Sequence, residues 1–408
     1  MSTPRSGLGF ADHPGFLRIR KLQGLAGELG LEVPFCRTSD GVARNTIMIG
    51  GREYLNFANY DYLDLASHPT VLQAAKDAID RYGTSVSASR VVSGERPFHQ
   101  ELERELAEFL GVQDCLVFVS GYLTNLTTIS HLYGPRDLVA HDAFAHNSVL
   151  HGSLNSRARR LTFPHNDWEA LDRQLAENRS HYERVLIVIE GLYSMDGDYP
   201  DLPRFLKVKK RHDAELMIDE AHSLGVLGKR GYGIREHFGL DGEEVDIWMG
   251  TLSKTLASCG GYIAGSGDLV EYLRFSAPGF VYSVGLPPAS AAAALASLRV
   301  LKKEPGRAET LRARGQLFLE CARRRGLNTG MGCGLNVIPV ITGTSQLAVM
   351  MSNALFADGV NVYPIIGPAV KEEAARLRFF ISCSHTEEQI RHAVDLVARH
   401  WDRFTKDT

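Results

Sequence analysis

Five short apolar runs limit what this chain can fold into. They read CLVFVS (115–120), DLVAHD (137–142), RVLIVIE (184–190), ELMIDE (215–220) and VDIWMG (245–250). Before and between them stand LERELAEFL (102–110), WEALDRQLAEN (168–178) and LPRFLKVKKRH (202–212), with apolar residues at helical spacing. Near-continuous apolar strands alternating with amphipathic helices specify a mostly parallel sheet buried on both faces. The expected fold class is therefore α/β. In such sheets the ligand site lies beyond the carboxyl ends of the strands.

The flanks read differently. Residues 1–52 are expected to form an arm or cap, with one helix near Phe16–Leu29, and IMIGGREYLNF (47–57) reads as a hairpin around Gly50-Gly51. A large domain is expected over 53–288. Residues 289–408 read as an α+β domain that forms the small domain together with the arm. Two helices open it, Ala289–Lys303 and Glu309–Arg325. Strands around NVIPVI (336–341), NVYPII and RLRFFIS follow, with a helix over 345–359 between the first two and a closing helix from Glu387.

Composition excludes several functions. A formal net charge of −3 argues against nucleic-acid binding. The basic runs Arg157–Arg160, Lys207–Arg211 and Arg323–Arg325 read as solvated helix faces. Six scattered cysteines form no C-x-x-C, and no secretory leader is legible, so a cytoplasmic protein with reduced thiols is expected. The Ala-rich stretch Pro287–Leu298 is too short and interrupted to span a membrane.

The polar residues that end the apolar runs carry the chemistry. Ser120, Gly121 and Tyr122 follow the first run, and Asp142 and His146 the second. Glu190 and Ser194 follow the third, Asp219 and His222 the fourth, and Thr251, Ser253 and Lys254 the fifth. IDEAH resembles a helicase box, but the chain has no phosphate loop of the G-x-x-x-x-G-K-[ST] type. No G-x-G-x-x-G follows a strand, which removes a nicotinamide site. A zinc site from Asp219, His222 and His146 would leave the lysine and hydroxyls without a role, so no metal is expected.

A lysine in a dry pocket has a lowered pKa and can form a Schiff base with an aldehyde. A carboxylate on the neighbouring strand can hold a protonated pyridine nitrogen, and an imidazole can stack on a flat ring. The Ser-Gly-Tyr turn offers backbone N–H groups to a phosphate. These are the four handles of pyridoxal 5'-phosphate (PLP).

Seven motifs sharpen this reading: YLDLASHP (62–69), GTSVSASRVVSGERPFHQELE (83–103), HDAFAHNSVLHG (141–152), EGLYSMDGD (190–198), IDEAHSLGVLG (218–228), GTLSKT (250–255) and RLRFFISCSHTEEQI (376–390). Together, in this order, they resemble the α-oxoamine synthases, fold-type I PLP enzymes that include 8-amino-7-oxononanoate synthase, 2-amino-3-ketobutyrate CoA ligase, 5-aminolevulinate synthase and serine palmitoyltransferase. The likeness runs from about Tyr54 to His400. It looks strongest toward members tied to polyketide or other natural-product pathways.

The resemblance implies a role for each residue. Lys254 is the Schiff-base lysine and the acid/base at the substrate Cα. Asp219 pairs with the pyridine nitrogen, and His146 stacks on the ring. Ser120, Gly121 and Tyr122 hold the phosphate, helped by Thr251 and by Ser283 supplied by a partner subunit, and Ser253 is counted among the cofactor-binding residues. His222 meets the phenolic oxygen and later the thioester carbonyl, and Glu190 and Ser194 complete the surround. Arg378 receives the amino-acid carboxylate, while Arg376 reads as a neighbouring surface residue.

The implied reaction condenses a small amino acid (glycine, alanine or serine) with an acyl-CoA or acyl-carrier-protein thioester. It gives an α-aminoketone, carbon dioxide and free thiol, and the implied assembly is a homodimer. An aminotransferase is the alternative. A lysine-less partner subunit is excluded by Lys254. Two positions depart from the pattern. Ser253 stands where a glycine is common just before the lysine. Relatives read N-Y-L-G-L where this chain has Asp61 before Tyr62, at the place of the family asparagine that helps bind the amino-acid carboxylate and so at an expected substrate-binding position. Asp61 would repel a substrate carboxylate unless it were protonated or turned away.

Overall fold

A computed structural model describes residues 9–28 and 31–406. A seven-stranded sheet forms its centre: β1 (Asp114–Phe118), β2 (Leu138–Asp142), β3 (Arg159–Phe163), β4 (Val185–Glu190), β5 (Glu215–Asp219), β6 (Ile247–Thr251) and β7 (Gly261–Gly265). The strand order is β1-β7-β6-β5-β4-β2-β3. Strand β7 is antiparallel to both its neighbours, and every other pair is parallel. The chain is therefore an α/β protein built on a mostly parallel central sheet, the expected class.

Successive side chains of a strand point to opposite faces. In β4, Ile187 and Ile189 enter one apolar cluster and Leu186 and Val188 the other, all fully buried. That two-sided burial is why the central runs lack alternation. Truncating one such residue, as in Ile187→Ala, costs about 2–5 kcal/mol.

Two strands depart from the sequence reading. Strand β3 carries Arg159 and Arg160 exposed on the sheet edge, so that basic run is not a helix face. Strand β7, GYIAG, is built of small residues because a helix start presses on it. A Cβ on Gly261 would lie 2.5 Å from Thr124 Oγ1 and 2.7 Å from the Gly121 Cα. The hairpin from β6 to β7 pairs Thr251 with Gly261 and is closed by Leu252 N–H donating to Gly260 O at 2.9 Å.

Outside the sheet, the expected hairpin pairs Thr46–Ile49 with Arg52–Asn56, and Gly50 and Gly51 take the positive φ values its turn needs. Val360–Asn361 adds to it in parallel, tying the two ends of the chain together. The N-terminal helix runs Pro14–Glu28. Leu29, residues 1–8 of the expected arm and residues 407–408 lie outside the described residues.

The last third contains helices Pro288–Lys303, Gly306–Arg324, Ser345–Ala357 and Glu387–Lys406. Strand Arg376–Phe380 is the centre of a three-stranded antiparallel sheet, between Val337–Ile341 and Tyr363–Ile365. Helix Pro288–Lys303 packs on helices Pro69–Tyr82 and Pro97–Leu110. No helix among the described residues is long and apolar enough to cross a membrane.

Candidate active site

A cavity of about 420 Å³ opens at the carboxyl edge of β4, β5 and β6. It is lined by Ser120, Gly121, Tyr122, His146, Glu190, Ser194, Asp219, His222, Thr251, Ser253, Lys254 and Arg378. A second recess, at the amino ends of β5 and β6, is lined by Gln113, Arg184 and Glu215 and has no comparable donor set.

Lys254 follows β6 within the hairpin. Burial pulls its pKa from 10.5 down to about 8, against the attraction of Asp219 and Glu190. An amine at that value is partly neutral near physiological pH, as a nucleophile must be.

Asp219 ends β5, directly across from Glu190 at the end of β4. Its Oδ1 accepts from Ala221 N–H at 2.9 Å and its Oδ2 from Asn125 Nδ2 at 2.8 Å. Glu190 is buried with Oε1 unpartnered, and burial followed by the Asp219 charge raises its pKa well above 4.5. Two adjacent carboxylates in a dry site do not both ionise. The two hydrogen bonds fix the Asp219 carboxyl group at the edge of the cavity.

His146 caps the helix Asn147–Ser156 and faces the cavity. Its Nδ1 lies 2.7 Å from Ser148 Oγ, and burial lowers its pKa. His222 is buried, with Nδ1 at 2.8 Å from Tyr62 Oη. Burial drives its pKa well below 6.5, and Lys254 and Arg378 add to the effect, so the ring is neutral.

Ser120 caps the helix Gly121–Leu132, which starts against β6. A Cβ on Gly121 would meet Thr251 Oγ1 at 2.8 Å, so only glycine fits there. Thr251 Oγ1 in turn accepts from Ser253 N–H at 3.2 Å. Backbone donors and hydroxyls thus converge on one corner of the cavity.

The two candidate arginines separate clearly. Arg378 is half-buried and lies over the Phe380 ring at 4.6 Å, with Nη1 donating to Ser194 O at 3.2 Å. Arg376 is not a surface residue: it is buried and ion-paired to buried Asp196 at 2.7 Å. Its charge is already taken.

Asp61 is turned away from the cavity. Its Oδ1 accepts from Leu65 N–H at 2.9 Å and its Oδ2 from Ala66 N–H at 2.8 Å, which fastens the loop. The neighbouring Tyr60 lines the cavity instead, edge-on to Phe380 with centroids 5.5 Å apart. Ser283 lies outside this chain's cavity, beside Val119 and Gly285.

Sequence reading missed Tyr60, Asn125, Ser148 and Phe380. The signal for Asn125 was its place one turn beyond the Ser-Gly-Tyr cap. Ser148 stood two residues after an expected histidine, a spacing that returns its side chain to a cap.

A family model described as Aminotransferase class I and II matches residues 52–397. The chain is similar to 8-amino-7-oxononanoate synthase of Geobacter sulfurreducens, 40% identical over 89% of this chain and 93% of that one. It is also similar to serine palmitoyltransferase of Sphingobacterium spiritivorum, 36% identical over 86% of this chain and 88% of that one. A solved serine palmitoyltransferase of S. paucimobilis with PLP–myriocin bound matches with a TM-score of 0.93 and 28% identity. That match covers 98% of this chain and 100% of that one.

The donor set suits PLP. It offers an amine of lowered pKa for the aldehyde, a carboxyl group held by two hydrogen bonds for the ring nitrogen, and a glycine-lined corner for the phosphate. Identity at this level over nearly the full length of both chains fixes the ancestry: the chain belongs to the α-oxoamine synthases, PLP-dependent acyltransferases of the aminotransferase class I and II group.

Proposed function

We propose that the protein condenses a small amino acid (glycine, alanine or serine) with an acyl thioester of coenzyme A or an acyl carrier protein. The products are an α-aminoketone, carbon dioxide and the free thiol. One observation carries this reading: Lys254, Asp219, a neutral buried His222 and an Arg378 with no ion-pair partner among the described residues face the same cavity. An aminotransferase has no use for His222 in that position.

PLP, when bound, supplies an aldehyde for the amine and a protonated ring that accepts an electron pair from Cα. Asp219 holds the proton on the ring nitrogen. Arg378 would grip the substrate carboxylate by a charge-assisted bidentate contact and so orient the bonds at Cα. Lys254 Nζ takes the Cα proton and returns it once carbon dioxide has left. His222, braced by Tyr62, presents its second ring nitrogen to the thioester oxygen as negative charge builds there. Ser120, Gly121, Tyr122, Thr251 and Ser253 hold the phosphate. In the proposed homodimer, working in the cytoplasm, Ser283 of one subunit reaches the phosphate of the other.

Visible spectra of the purified protein, taken with each amino acid and with or without an acyl thioester, test the proposal. The expected result is a PLP band absent from a Lys254→Ala variant, and thiol release that requires one amino acid. Conversion of the cofactor to its amino form without thioester would overturn it in favour of transamination.

A further inference from the structure

The buried side of the site holds a run of hydrogen bonds in which every proton can be counted. Asn125 and Ser148, 1% and 0% exposed, stand between His146 and Asp219. Asn125 Nδ2 donates to Asp219 Oδ2 at 2.8 Å and to Ser148 Oγ at 2.9 Å. An amide nitrogen has two protons, so both are used. The opposite amide orientation would set Oδ1 against a carboxylate, so the network fixes the assignment.

Ser148 Oγ therefore accepts from Asn125, and its single proton is left for His146 Nδ1, 2.7 Å away. The backbone N–H of Ser148 also points at Nδ1, at 3.3 Å. A ring nitrogen that receives two donors carries no proton of its own. The proton of the neutral ring must then sit on Nε2. Burial favours that neutral ring, and the charged groups facing it are Asp219, Lys254 and Arg378.

Asn125 also leaves its Oδ1 buried and unpartnered. A residue kept only to fill space would be leucine, which brings no orphaned oxygen. Asparagine here is explained by its two donors.

We propose that Asn125 and Ser148 are positioning residues that lock His146 as the Nε2–H tautomer and join its ring to Asp219. The inference rests on the reading of His146 and Asp219 as the two groups that grip the cofactor ring. The relay fixes the plane of the stacking imidazole through the same amide that holds the carboxylate, so ring face and ring nitrogen are positioned together.

Ring-nitrogen NMR of histidine-labelled full-length protein, with and without PLP, reads the tautomer directly, and a His146→Gln variant assigns the signal. The wild type is expected to show unprotonated Nδ1 and protonated Nε2 near neutral pH. Ser148→Ala should lose that preference and give a mixed or protonated ring, and Ser148→Thr should restore it. In the loaded enzyme, Asn125→Leu and Ser148→Ala should each move the pH midpoint of the PLP band by about one unit, and Ser148→Thr should not. A wild-type ring protonated on Nδ1, or a Ser148→Ala ring unchanged from wild type, would overturn the proposal. If a variant shows no folded spectrum, the wild-type tautomer and the threonine variant still decide. The cofactor reading fails separately: a wild type with the Nε2–H tautomer that takes up no PLP supports the lock and sinks that reading.

Discussion

Glu190 and Asp219 face each other as a register pair on neighbouring parallel strands, both buried, and only Asp219 is fully hydrogen-bonded. Glu190 holds its proton in the folded chain well above the ordinary value of 4.5. The folded state thus binds more protons than the unfolded one above that value, and stability falls as pH rises from about 4.5 toward the folded pKa. Glu190→Gln keeps the shape and removes the titration. Denaturant unfolding should show wild type losing stability with pH across this window relative to the variant. Parallel curves would reject the assignment.

Lys254 leads to a kinetic prediction. With its pKa drawn down to about 8, the amine of the cofactor-free chain becomes neutral near that pH instead of above 10. Capture of PLP, followed by absorbance, should accelerate with pH to a midpoint near 8 and then level off. Replacing Lys254 by alanine should abolish the captured species and lower turnover by about 10²–10⁴-fold or more, the range for a positioned acid/base.

For substrate grip, Arg378→Lys exchanges a planar fork for a point charge. Loss of one charge-assisted bond of about 1.5–3 kcal/mol should raise the amino-acid KM by about 10–150-fold and leave the thioester KM unmoved. Asp61→Asn should leave the amino-acid KM unchanged, because the side chain faces Leu65 and Ala66. Asp61→Ala should cost about 0.5–2 kcal/mol of stability through its lost backbone caps. Steady-state kinetics on the three variants separate a binding residue from a loop fastener.

Arg376 should behave in the opposite way. Removing it strands Asp196 as an unpaired buried charge, at a cost of about 3–5 kcal/mol by denaturant titration. A double variant, Arg376→Met with Asp196→Leu, should recover most of that loss. An Arg376→Met enzyme of wild-type stability would contradict the buried pair.

How much of this could be read from the sequence depended on periodicity. The inner strands were legible because both faces are buried, which leaves a long apolar run. Strand β3 was hidden because an edge strand with exposed arginines has no such run, and β7 because glycine and alanine speak against a strand until a helix start is seen pressing on it. Arg376 and Arg378 share one face of their strand, so alternation could not tell the ion-paired one from the open one. Asp61 and Tyr60 lie in a loop with no period at all, where hydrogen bonds to Leu65 and Ala66 decide which side chain turns inward. Ser283 stays an expectation about a second subunit.

The hairpin between β6 and β7 has a consequence for how descendants of this chain can vary. A lysine on a crossover loop would hang from one strand, whereas Lys254 is held from two, between Thr251 and Gly261, with Leu252, Ser258 and Gly260 bonded across the loop. Lost or gained residues here could be absorbed only by slipping the register, and a one-residue slip would swap the faces of Tyr262 and Ile263, each fully buried on its own side. The stretch therefore behaves as a segment of fixed length. Substitutions can accumulate in it, but insertions and deletions should be confined to loops that do not carry the amine.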